Sequence, residues 1–171
     1  MSVGVTGTFG YVNEKLVRIY LQDHHAAATT GIELARRIHS SNKDNDYGEP
    51  LAKIVDEIAA DKKALEGIMD DLGFGSDTIK DMGAWGLEKV GRLKMNGQIT
   101  GYSPLSRVIE LEGLVTGITG KLALWGALVE IASQEPRLDV ARLERLRERG
   151  ESQRATVEEL RDRAAREAFV G

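Results

Sequence analysis

LAKIVDEIAADKKALEGIMDDL, residues 51–72, sets Ile54, Ile58, Asp61, Leu65, Ile68 and Leu72 at alternating steps of four and three. Such steps return to one side of an α-helix turn after turn, so the stretch predicts an amphipathic helix with one stripe against a partner. Pro50 suits its first turn, and Gly73 after Leu72 suits its C-terminal cap. An acid, Asp61, stands in the middle of an otherwise apolar stripe.

Working outward, the same spacing recurs in three further segments. Residues 13–40 carry Leu16, Tyr20, Asp23, Ala27, Thr30 and Leu34, and the polar run SSNKDNDYGEP closes that helix. Ser103–Pro104 is a start signal for a helix reaching residue 133, with Leu105, Val108, Glu112, Val115, Thr119 and Leu122 on one stripe. A second stripe, Leu111, Leu114, Ile118, Trp125 and Leu128, predicts that this helix is the most buried. Pro136 opens the last helix, to residue 169, with Leu143, Leu146, Gly150, Gln153, Val157, Leu160 and Ala164 in line. A shorter helix, capped by Ser76 or Asp77 and ending at Asn96–Gly97, links the two halves. Residues 1–12 read as a loose arm and 13–171 as one helical domain. The chain is all-α by this reading, and its 171 residues can bury a sizeable core.

Composition narrows the function. A net charge of −4 favours neither nucleic acid nor an anionic membrane. No cysteine is present, which excludes disulfides and thiolate chemistry. The N-terminal residues lack a basic segment followed by an apolar one, so a cytoplasmic location is expected. Residues 113–132 are long enough to span a bilayer, but Lys121 at their centre favours a helix inside a bundle. Gly113, Gly117 and Gly120 weaken that helix in isolation, and close approach of a neighbouring backbone is the expected compensation. P-loop, dinucleotide and nucleophile-elbow motifs are all missing.

Each long stripe contains one polar residue: Asp23, Asp61, Glu112 and Gln153. Polar groups in a core need pairing, hydrogen bonds or a metal. Four long helices with a short connecting one resemble the ferritin-like superfamily, an antiparallel four-helix bundle with a crossover, and YLQDHHAAATTGIELARRI around Asp23 is similar to uncharacterised bacterial proteins of that type. The resemblance implies a two-metal site of iron or manganese between the helices. Asp23 would serve as the first-helix carboxylate, Asp61 or Glu57 as the second, Glu112 as the third and Gln153 as the last ligand, with His24 beside Asp23. Where the superfamily carries histidine, this chain has Ala60, Ala64 and Thr156. Counted from the connecting loops, Asp23 and Asp61 differ in level by about a turn, and Gln153 faces Thr119 more nearly than Glu112. Offsets of roughly 5–10 Å exceed what ligand bonds of about 2 Å can share.

The leading expectation is therefore a ferritin-like bundle without an intact metal centre and without a cofactor, acting as a structural or protein-interaction module. A di-iron or di-manganese carboxylate protein in iron or oxidant handling is one alternative, and a small-molecule-binding bundle another. The polar residues also admit purely structural roles as register-fixing networks. Lys121 is expected to meet a carboxylate or reach the surface. Lys89, Arg92, Lys94 and Arg107 with Tyr102 form a basic loop that could grip an anion, although a solvated helix end is the commoner meaning. The small residues Ala26, Ala27 and Ala28 leave room for a homodimer.

Overall fold

The computed structural model describes residues 11–75 and 102–170, which form four α-helices and no strand, packed as a bundle. α1 spans Glu14–Asn42, α2 Gly48–Asp71, α3 Pro104–Ile131 and α4 Val140–Phe169. The helix expected over 76–97 lies outside the described residues, as does all but the end of the expected N-terminal arm.

The helix ends follow from local chemistry. Asn13 caps α1 by accepting from the Leu16 amide at 3.2 Å. Ser103 caps α3 in a reciprocal pair with Ser106, with Pro104 just inside. α2 ends in a Schellman motif: Gly73 takes φ +74°, and the Phe74 amide donates to the Met69 carbonyl at 2.8 Å. Pro136 does not open α4. Asp139 does, accepting from the Arg142 amide at 3.1 Å, because an Asx side chain supplies the acceptor that proline lacks.

α1 packs along α2, α3 along α4, and α1 also lies against α3, while α2 approaches α4 only sparsely. The stripes read for α2 and α4 are buried in full. In α1 the stripe is a different one. Leu16, Tyr20, Asp23 and Ala27 are exposed, and the helix instead buries Leu21, His25, Ile32, Ala35, Ile38 and Asn42. That set has the larger aliphatic content, but His25 and Asn42 disguise it. α3 likewise buries its second stripe, Leu111, Leu114, Ile118, Trp125 and Leu128, and leaves Leu105, Glu112 and Thr119 outside. It is not the most buried helix, with 7 of 28 residues buried against 8 of 24 in α2. By length and composition α3 could cross a membrane, and 28% of its apolar window is buried in the bundle.

The buried apolar residues form two clusters. One gathers Ile38, Leu51, Ile58, Leu111, Ile118 and Val157, and the other Leu21, Leu65, Met69, Leu124, Trp125 and Leu146. The break between them falls on every helix of the second half and on α2 at one level, where Asp61, Lys121 and Gln153 stand. The first cluster ends in a polar plug. Asn42 donates to Tyr102 at 2.7 Å and accepts from Arg107 at 2.7 Å, and Arg107 stacks on the Tyr47 ring at 4.5 Å. Arg107 also meets Glu167 at 2.8 Å, so it serves the fold rather than an anion grip. Lys89, Arg92 and Lys94 lie outside the described residues.

Candidate functional site

Asp61 projects from α2 into the interior and is 2% exposed. From α3, Lys121 Nζ donates to its Oδ2 at 2.5 Å and also to Gln153 Oε1. From α4, Gln153 Nε2 donates to the same Oδ2 at 3.0 Å, and Arg149 donates through Nε and Nη2 to Oδ1. Four donated hydrogen bonds fill the lone-pair sites of the carboxylate. Burial holds the Lys121 ammonium below the ordinary lysine range, and the neighbouring Asp61 acts in the opposite direction. Arg149 reaches Asp61 from the α2–α4 side, where a groove of about 570 Å³ is lined by Lys63, Arg142 and Arg145.

On the opposite side this ion layer borders a cleft of about 300 Å³ between α1, α2 and α3. Its walls are apolar: Ala27, Ala28 and Leu34 from α1, Ile58 and Leu65 from α2, and Leu114, Ile118 and Trp125 from α3. Gly31, Gly113, Gly117 and Gly120 also line it. The expected close backbone approach at these glycines does not occur. A Cβ added at Gly31, Gly117 or Gly120 would meet nothing within 4 Å, and one at Gly113 would only touch Leu34 at 3.4 Å. The glycines keep a space open. Close packing is found instead at Gly150, where a Cβ would lie 2.7 Å from Leu122 Cδ2. Trp125, 1% exposed, lines the cleft, and its indole N–H has no acceptor among the described residues.

Of the residues singled out in the sequence, the structure brings Asp61 and Gln153 together. Glu112 and Asp23 are exposed, because α1 and α3 turn other stripes inward. Glu57 is half-buried and 3.7 Å from Lys53. His24 is half-buried on the cleft wall, edge-on to Tyr20 at 4.6 Å, and burial lowers its pKa while Asp23 opposes this. Among the described residues no group of three or more His, Asp or Glu side chains is placed to hold a metal ion. Asp61, with its oxygens occupied by cations and an amide, does not fit a bridging metal ligand. Lys121 meets a carboxylate, as expected of a lysine on an apolar helix. The sequence reading missed Arg149, although it sits one turn before Gln153 and so shares its face.

At the cleft's edge Lys62 donates to Glu66 at 2.5 Å, and His25 Nε2 lies 3.0 Å from the same oxygen. The hydrogen bond from Lys62 holds the Glu66 carboxyl below its ordinary value of 4.5, and that from Arg137 does the same for Glu135. As pH falls, the unfolded chain takes up these protons first. Stability from both groups is thus full above pH 4.5 and drains away as pH drops through their lower folded values. Urea titrations stepped downward from neutral pH should show that decline, and Glu66→Gln should flatten it. An unchanged slope in the variant would remove Glu66 as a contributor.

Fold and site together define a helical bundle with a polar layer through its core and an apolar cleft beside that layer. The chain matches no family model, no curated protein and no solved structure.

Proposed function

We propose that the protein is a small-molecule-binding bundle, cytoplasmic, antiparallel and ferritin-like in arrangement, without a metal centre. One observation carries the reading: α3 holds Gly117 and Gly120 on the cleft wall where no neighbour needs the room. Glycine inside a helix costs about 1 kcal/mol relative to alanine, a cost with no packing return here unless something else fills the space. The volume is about 300 Å³, roughly twice the ~150 Å³ that takes up benzene in an apolar protein cavity. The antiparallel arrangement is supported by the clusters, in which Leu21 at the start of α1 joins Leu65 and Leu72 near the end of α2. Lys121, committed to Asp61 in mid-helix, supports an α3 that belongs to a soluble core. Ala27 and Ala28 belong to the cleft wall, which turns the room they leave toward a ligand.

Gly117→Ala and Gly120→Ala are each expected to raise stability by up to about 1 kcal/mol, since neither methyl meets an obstacle. Gly120→Leu should fill the cleft. Phenylnaphthylamine, a neutral fluorescent aromatic probe, is expected to bind the wild-type protein saturably and to lose its binding in Gly120→Leu. Probe binding that survives in a folded Gly120→Leu protein would refute the cleft as the binding site.

A further inference from the structure

We propose that the ligand of this cleft is an apolar acid, its anionic group taken by Lys121 and its body by the apolar walls. This rests on the small-molecule reading above. The charges of the ion layer do not balance: Asp61 supplies one negative charge, against Arg149 on Oδ1 and Lys121 on Oδ2. Glu57, whose field also reaches Lys121, is itself answered by Lys53. Lys62, further along the wall, is answered by Glu66. Lys121 is thus the surplus cation, and it lines the cleft while Arg149 serves the opposite groove.

Donor bookkeeping gives the same answer independently. An ammonium has three N–H groups, and Lys121 uses two, on Asp61 and Gln153. The third has no acceptor among the described residues. Trp125 lines the same walls, and its N–H is buried without an acceptor among the described residues, so the donor that faces a ligand is that of Lys121. Asp61, the acid on that wall, has its lone pairs filled. The cleft therefore offers an unspent ammonium donor and positive charge beside apolar surface, which an acid on a compact hydrophobic body answers with a charge-assisted hydrogen bond. The alternative occupants fit less well. A neutral hydrocarbon leaves the Lys121 donor unmet, and a cation would face Lys121.

Anilinonaphthalene sulfonate and phenylnaphthylamine share one aromatic skeleton and differ in the acidic group. The wild-type protein should bind the sulfonate at least about ten-fold more tightly, the scale of one charge-assisted hydrogen bond. Lys121→Met should reduce that preference to about two-fold or less, and Lys121→Arg should retain it. Thermal melts of each variant establish that it is folded. Equal affinities for the two probes in the wild type, or a preference that persists in Lys121→Met, would overturn the acid assignment with the cleft still standing. Sulfonate binding undiminished in Gly120→Leu would place the anion elsewhere, on the arginine-lined groove, and overturn it too. If neither probe binds the wild type, the small-molecule reading itself falls.

Discussion

Asp61→Ala is expected to lower the unfolding free energy by about 3–5 kcal/mol, the cost of removing one partner from a buried ionic group. Asp61 is 2% exposed and is the shared acceptor for Lys121, Arg149 and Gln153. Without it, two cations face each other across a small gap. Lys121 has only 14% of its side chain exposed, so water does little to offset the repulsion. Lys121→Met should cost much less, about 1 kcal/mol or under, because Asp61 keeps Arg149 and Gln153 while the methionine fills the space of the lysine stem. Burial already disfavours the Lys121 charge, so removing that charge relieves a penalty as it breaks a bond. The double variant Asp61→Leu with Lys121→Met should recover most of what Asp61→Ala loses, since Arg149, at 35% exposed, can turn outward. Urea denaturation of the three proteins checks the ordering. A Lys121→Met protein as damaged as Asp61→Ala would show that the pair acts as a unit and that the surplus-cation picture is wrong.

That ordering also explains how far the sequence could be read. α2 and α4 have one apolar stripe each, broken once, and for them the spacing identifies both the buried face and its polar member. Asp61 and Gln153 come from those two helices. α3 is apolar nearly all round, so spacing offers two stripes, and the polar residue Glu112 belongs to the one that is only partly buried, through Val108, Val115 and Leu122. In α1 the stripe through Leu16, Tyr20 and Leu34 looks as regular as the true one through Leu21, Ile32 and Ile38. His25 and Asn42 stand inside the true stripe because each has a specific partner, Glu66 for one and Arg107 with Tyr102 for the other. Such pairings join residues 41 and 60 or more positions apart, and no local pattern announces them. Of the four polar residues that share a sequence pattern, only Asp61 and Gln153 thus share a place. The cleft was illegible for a related reason: glycines on a helix signal either close packing or open space, and only the neighbouring helix decides between them.

Gly48→Ala should be destabilising by about 1–3 kcal/mol, opposite in sign to the same change at Gly117. Gly48 is the first residue of α2 and is buried. A Cβ there would lie 2.5 Å from the Lys43 carbonyl oxygen and 2.9 Å from its carbon, both backbone atoms that cannot rotate away. The 43–47 connection would have to open, and it is held from several sides. The Gly48 amide donates to the Asn45 carbonyl at 2.9 Å, and the Tyr47 amide donates to Asn45 Oδ1 at 3.0 Å. Asn45 in turn donates to Asn42 Oδ1 at 3.3 Å, the atom that also accepts from Arg107. Opening the turn therefore strains the plug that closes this end of the core, including the buried Tyr47 ring between Arg107 and Arg163. The helix-forming advantage of alanine is small in a first turn and does not offset this. Gly150 is the instructive middle case, since its obstacle is the end of the Leu122 side chain, which can rotate. Urea midpoints for Gly48→Ala, Gly117→Ala and Gly150→Ala should fall below, above and near the wild type in that order. A Gly48→Ala protein as stable as the wild type would mean that the 43–47 turn yields freely and that the end plug contributes little to holding the bundle closed.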